Sequence, residues 1–226
     1  MEQCLYSDTI TTLSGLAREQ YIRLINYQEL NKTAQKGQIL FTGSSLMEQF
    51  PINELSISHN LGKIVYNRGI GGYKTDDFLQ HIDTMLFDLE PSKVFLNIGT
   101  NDMNEREDGE NWQSHLMSNY RKILDLCKEN LPGTPVYIMA FYPVNPVIPA
   151  AQPLLSNMLK IRTMDNLSLA NRAIAELAAS YGYQYIDANQ GLTDDNGNLK
   201  AEFTVEGVHM FADAYEIVYR NLLPYL

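Results

Sequence analysis

Ser45, in Gly43-Ser44-Ser45-Leu46, is a candidate nucleophile because it follows the apolar run Ile39-Leu40-Phe41, where a buried strand gives way to a turn or helix. A hydroxyl at that junction sits beside helix N-terminal N–H groups, where open parallel sheets bind ligands. Taken alone, the stretch reads equally well as a turn or helix cap. A serine nucleophile needs a base, an orienting acid and donors for a tetrahedral oxyanion, each donor contributing about 3–4 kcal/mol. Two further strand ends offer such donors: Gly71-Gly72 through backbone N–H groups, and Asn101 through its carboxamide. Of the four histidines, His209 has an acid, Glu206, one turn before it. His59 falls in a polar loop, and His81 and His115 fall in helical stretches.

The elements that must position these groups follow from hydrophobic periodicity. Apolar runs at 39–42, 63–68, 94–98, 136–141 and 183–187 predict five strands, separated by segments of helical spacing around Phe78 to Leu86, Tyr120 to Leu131 and 164–181. A last helix carries Tyr215, Ile217, Val218, Leu222 and Leu223. Strands alternating with helices define an α/β chain with a parallel sheet covered on both faces. Ahead of the first strand, Leu13, Leu16, Tyr21, Leu24, Ile25 and Leu30 predict one amphipathic helix over residues 11–32. Residues 143–162, with Pro143, Pro146, Pro149 and Pro153, read as a long loop of the kind that forms lids or binding surfaces. Its Leu154, Leu155, Met158 and Leu159 would line an acyl pocket or a subunit interface. Asp194 to Asn198 reads as a tight turn, since its glycine and closing acid are out of register for a calcium loop.

Composition narrows the partners. With 226 residues and no break in composition, the chain is expected to be a single domain, with residues 1–35 as a helical extension packed on it. A formal charge of -10 disfavours nucleic acid and anionic membranes, both of which demand basic patches. No stretch reaches the length needed to insert in a bilayer, and Met1-Glu2-Gln3-Cys4 lacks the basic and apolar regions of a signal peptide. A cytoplasmic protein is expected. Cys4 and Cys127 form no metal or redox motif, and Cys127 has the spacing of a core position.

Four blocks, in order across residues 37–210, resemble those of the SGNH hydrolases, the GDSL-type esterases, lipases and acylhydrolases. Gly43-Ser44-Ser45-Leu46 is similar to the Gly-Asp-Ser-Leu block, Asn67-Arg68-Gly69-Ile70-Gly71-Gly72 to the second, and Gly99-Thr100-Asn101-Asp102 matches Gly-x-Asn-Asp. Thr204-x-Glu206-Gly207-x-His209 resembles the last. The resemblance implies a three-layer α/β/α, flavodoxin-like fold and a serine esterase with Ser45, His209 and Glu206 as the catalytic residues. Its oxyanion hole would comprise the Ser45 N–H, the Gly72 N–H and the Asn101 side chain. It implies no metal or organic cofactor and a small-molecule ester as substrate.

Two positions depart from the blocks: Ser44 stands for the usual Asp outside the triad, and Glu206 stands for the usual Asp within it. The extra methylene of Glu206 leaves three arrangements open. The carboxylate reaches His209, a main-chain carbonyl replaces it, or the site is impaired. The expected activity is cleavage of a short acyl ester, acetyl above all, from a small soluble substrate such as an O-acetylated carbohydrate. Lysophospholipase or thioesterase activity and a non-catalytic acyl-sugar-binding module are the alternatives. Gly69-Ile70-Gly71-Gly72 also prompts a nucleotide-binding reading, but Lys74 stands where the last glycine of that fingerprint should be. Homo-oligomerisation is left open.

Overall fold

Strands that are apolar on both sides form a sheet that must be covered twice. The computed structural model describes residues 7–226, apart from the side chains of residues 7, 8, 152–154 and 156. Cys4 and the side chain of Leu154 therefore lie outside the described residues. Five strands, β1 (Ile39–Gly43), β2 (Val65–Asn67), β3 (Lys93–Asn97), β4 (Val136–Met139) and β5 (Gln184–Ile186), pair in parallel in the order β2-β1-β3-β4-β5. Side chains alternate between two cores. Leu40, Val94, Leu96, Val136 and Ile138 face one core. It is closed by helices α2 (Gly15–Asn31), α5 (Thr75–Gln80), α6 (Ile82–Met85), α7 (Trp112–Asn130) and α9 (Met164–Ser180). Ile39, Phe41, Phe95, Met139 and Ile186 face the other, under α3 (Ser45–Glu48), α4 (Ile52–Ser58) and α10 (Ala212–Leu222). The result is the expected three-layer α/β/α architecture.

The direction in which strands add reverses at β1: β2 lies on one side, and β3, β4 and β5 add on the other. Such a switch opens a crevice beyond the carboxyl ends of β1 and β3. Gly43 sets the spacing there. Its φ is +151°, and a Cβ would stand 1.9 Å from the Asn97 carbonyl oxygen across the sheet, so a larger residue would force β1 and β3 apart.

An aromatic row stiffens the layer behind this edge. Phe41 stacks on Phe95 at 4.5 Å, Phe95 on Tyr137 at 4.9 Å, and Phe50 bridges Phe41 to Tyr215 of α10. Each such pair contributes about 0.5–1.5 kcal/mol beyond its buried area. The row ends at the site, because the Tyr215 hydroxyl donates to the Leu46 carbonyl in α3 at 2.8 Å.

Three local expectations need correction. The N-terminal helix is two, α1 (Ser7–Thr12) and α2, broken at Gly15 with φ +52°; α2 buries only Leu24, Tyr27 and Asn31, leaving Leu16 and Leu30 in the open. The stretch 143–162 is not all loop, since it contains helix α8 (Ala151–Leu159). Pro153 falls in its first turn, where a backbone N–H has no acceptor within the helix. The polar stretch ahead of His59 is helix α4, with His59 in the turn that follows it, where it pairs with Glu216 at 2.9 Å. The turn at 194–198 is as read: Asp194 Oδ1 accepts the Asn196 and Asn198 N–H groups, each at 2.9 Å. Cys127 is buried, and burial pushes its thiol up to about 12, leaving it a core side chain. Among the described residues, no helix is long and apolar enough to cross a membrane.

Candidate active site

The structure brings all five sequence-predicted residues to one end of the sheet. Ser45 opens α3 directly after β1, Gly72 lies in the loop after β2, Asn101 in a 3₁₀ turn after β3, and Glu206 and His209 in the segment before α10. Ser45, Gly72, Asn101 and His209 line one cavity of about 670 Å³.

His209 is held at both ring nitrogens. Nε2 lies 2.9 Å from Ser45 Oγ, and Nδ1 lies 2.5 Å from Glu206 Oε1. The same carboxylate oxygen accepts the backbone N–H of His209 at 2.7 Å, so one tight turn delivers Glu206 to its partner. The main chain makes that turn because Gly207 adopts φ +94° and packs where a Cβ would meet the Asn145 carbonyl at 2.2 Å. Thr204 Oγ1 accepts the Gly207 N–H at 2.9 Å. Of the three arrangements open to Glu206, the one present is direct contact of its carboxylate with Nδ1.

The glycine loop is gripped from outside. Gly71 N–H donates to Glu48 Oε2 at 2.5 Å, while Gln20 Nε2 donates to the Gly71 carbonyl at 2.8 Å. Glu48 Oε1 in turn meets Arg23 at 2.6 Å. With both ends of the Gly71 residue engaged, Gly72 is fixed at φ +76°, and among the described residues no acceptor takes its N–H. Lower down, Asn67 Nδ2 donates to the carbonyls of Met47 and Phe50, and Tyr27 Oη donates to the Gly69 carbonyl. The buried Arg68 donates to Asn31 and lies over the rings of Tyr27 and Tyr66. The second sequence block is thus largely a fastening between β1, α3 and α2.

Asn101 is fastened too. Its Nδ2 donates to the Tyr73 carbonyl at 3.0 Å, and its Oδ1 accepts from Arg162 Nη2 at 3.0 Å. The next residue, Asp102, is buried and takes the N–H and hydroxyl of Thr75, tying the Asn101 turn to the start of α5. Burial raises its pKa above the ordinary carboxylate value, despite those bonds. Burial likewise pushes Arg162 down to about 10.

Sequence reasoning missed Gln20, Arg23, Glu48 and Arg162, all of which line the cavity. Glu48 lies one turn beyond Ser45, but no local pattern marks the others. Asp76, Asp102 and His115 also lie close enough to share a metal ion. Their atoms are already engaged: Asp102 by Thr75, and His115 by Asp76 and Glu110.

A parallel sheet of this order, with serine, glycine, asparagine and histidine from successive loops at one end, defines the SGNH-type α/β hydrolase architecture. The chain belongs to the GDSL-like Lipase/Acylhydrolase family, whose model matches residues 54–217, a span that starts beyond Ser45. It is similar to a protein from Streptococcus pneumonia provisionally described as a platelet activating factor, with 28% identity, TM-score 0.81 and 99% of each chain covered. A provisionally described acylhydrolase from Bacteroides fragilis has 21% identity and TM-score 0.71, over 88% of this chain and 93% of that one. An acetylxylan esterase from Geobacillus stearothermophilus shares the fold at 14% identity and TM-score 0.61, over 84% and 94%. Among curated proteins, none matches the sequence.

Proposed function

We propose that the chain is a serine esterase that removes short acyl groups, acetyl above all, from a small polar alcohol such as a carbohydrate. The observation that carries this reading is the unbroken series Glu206 Oε1 to His209 Nδ1 at 2.5 Å and His209 Nε2 to Ser45 Oγ at 2.9 Å. An ionised carboxylate only accepts, so Nδ1 carries the ring proton and Nε2 is left to accept the serine proton. Ser45 Oγ attacks the ester carbonyl as Nε2 takes that proton. The oxyanion is assigned to the Ser45 and Gly72 N–H groups and the remaining N–H of Asn101 Nδ2. His209 then protonates the leaving alcohol as its C–O bond breaks, and water releases the acyl group by the same steps.

The cavity supports a polar leaving group. Gln20, Arg23, Asn26 and Gln49 face it beside the apolar Leu16, Ile22, Ile70 and Met158. Hydroxyl-rich alcohols suit that mixture of hydrogen-bonding and apolar groups. Six of the lining residues, Leu16 to Asn26, come from α2. We accordingly take the chain as one domain in which the N-terminal extension walls the cavity.

Replacing Ser45 by alanine should abolish hydrolysis of p-nitrophenyl acetate, and a fluorophosphonate should label the wild type at Ser45. Retention of most of the activity by S45A, or an unlabelled Ser45, overturns the assignment. In a series of p-nitrophenyl esters, kcat/KM should fall as the acyl chain lengthens beyond butyrate. A rise toward octanoate would instead favour the lipid- or thioester-cleaving reading.

A further inference from the structure

The least expected group in the cavity wall is Arg162. The residue is 2% exposed, and its Nε is buried without a partner. Among the described residues it forms no ion pair, and its one side-chain hydrogen bond goes to a neutral group, Asn101 Oδ1 at 3.0 Å. A buried cation with no carboxylate in direct contact carries a desolvation penalty that structural packing alone does not require. The location is firmly built. Arg162 lies in the turn between α8 and α9, where its N–H donates to the Met158 carbonyl at 2.9 Å and Thr163 caps α9.

We propose that Arg162 is a positioning residue for ester hydrolysis that holds and polarises the Asn101 carboxamide for the oxyanion. The proposal rests on the serine-esterase reading above. Two consequences follow from the one hydrogen bond. Oδ1 is committed to the guanidinium, which fixes the amide so that Nδ2 points the other way; one N–H goes to the Tyr73 carbonyl, and the second is free for substrate. A cationic donor on Oδ1 also draws electron density from nitrogen, so the free N–H becomes a stronger donor as negative charge develops on the substrate. The charge of Arg162 thereby acts on the transition state without touching it. Asp102 lies close enough to favour the guanidinium electrostatically, but spends its own oxygens on Thr75.

The test compares wild type, R162M, R162K, N101A and the N101A/R162M double variant on p-nitrophenyl acetate, with active sites counted by fluorophosphonate labelling carried to completion. Loss of one oxyanion donor typically costs about 10²–10³ in kcat, so an effect relayed through that donor should cost about 10- to 100-fold in R162M. The change should fall in kcat, with KM within about 3-fold, and R162K should recover part of it because one ammonium N–H can still reach Oδ1. The double variant should be no slower than N101A, since both changes act through one group. A kcat for R162M within about 2-fold of wild type, additive losses in the double variant, or a change confined to KM overturns the proposal. Should R162M not fold, R162K and its combination with N101A carry the same comparison. Wild type that is unlabelled at Ser45 removes the esterase reading itself, whereas labelled wild type with unimpaired R162M removes the role of Arg162 alone.

Discussion

Glu206 reaches His209 twice: Oε1 is 2.5 Å from Nδ1 and 2.7 Å from the backbone N–H of the same residue. The second contact accommodates the extra methylene, because it folds the longer side chain back over its own turn. From this backbone, an aspartate, one methylene shorter, would hold its carboxylate farther from Nδ1. E206D should therefore misplace the carboxylate by about one bond length and lower kcat about 10²-fold, the typical cost of a 1 Å error near the chemistry. E206Q keeps the length but presents an amide that stabilises the wrong tautomer, and kcat should fall about 10⁴-fold. Steady-state kinetics on p-nitrophenyl acetate decide the matter. An E206D variant faster than wild type would mean that the glutamate is the impaired form.

Gly72 tests the oxyanion loop. At φ +76° a Cβ would come within 2.8 Å of Leu16 Cδ2 and of Gln20 Nε2. G72A must relieve both the steric contact and a backbone conformation that costs an L-residue roughly 1–2 kcal/mol. The side-chain ends can give way, but relief of the backbone strain rotates the Gly72 peptide and carries the N–H away from the substrate. The expected result is a fall in kcat of about 10²-fold with KM little changed, read by the same assay. An unchanged kcat would remove the Gly72 N–H from the oxyanion hole.

Strand ends were legible in the sequence because their signals are local. Gly43, Gly72 and Gly99 interrupt apolar runs, and each adopts the positive φ that glycine permits. The α8 helix was not legible, since four prolines over 143–153 mask a helix whose only internal proline lies in its first turn. Leu16 and Leu30 suggested a buried face on α2, but that helix packs through Leu24 and Tyr27 while Leu16 turns to the cavity. The supports of the site were invisible for a different reason. Arg162 meets Asn101 across 61 residues of chain, and Glu48 meets Gly71 across 23, and no periodicity encodes contacts that exist only after the loops assemble.

Asp102 makes a prediction about pH. Burial raises its pKa in the folded chain above the value it has when unfolded. Between those two values the folded state holds the proton more often than the unfolded state does, so stability falls as pH rises through the window. D102N keeps an oxygen acceptor for Thr75 and has no proton to lose. Urea unfolding of both proteins from pH 4 to 8 should show wild type losing stability relative to D102N as pH increases. A difference that is constant, or that moves the other way as for a carboxylate held below its ordinary value, would contradict the environment described for Asp102.

Arg23 and Glu48 form an ion pair at 2.6 Å, yet the two residues should differ sharply in importance. The arginine side chain is 47% exposed, and exposed pairs are worth only about 0–1 kcal/mol. Glu48 does a second task, since its Oε2 accepts the Gly71 N–H at 2.5 Å and so fixes the loop that carries Gly72. R23A should accordingly change stability by less than about 1 kcal/mol and leave kcat within about 2-fold of wild type. E48A strands a backbone donor, at about 1–3 kcal/mol, and releases the loop, so kcat should drop about 10-fold or more. Urea midpoints and p-nitrophenyl acetate kinetics measured on both variants separate the contributions. Equal losses from R23A and E48A would show that the ion pair, rather than the grip on Gly71, positions the loop.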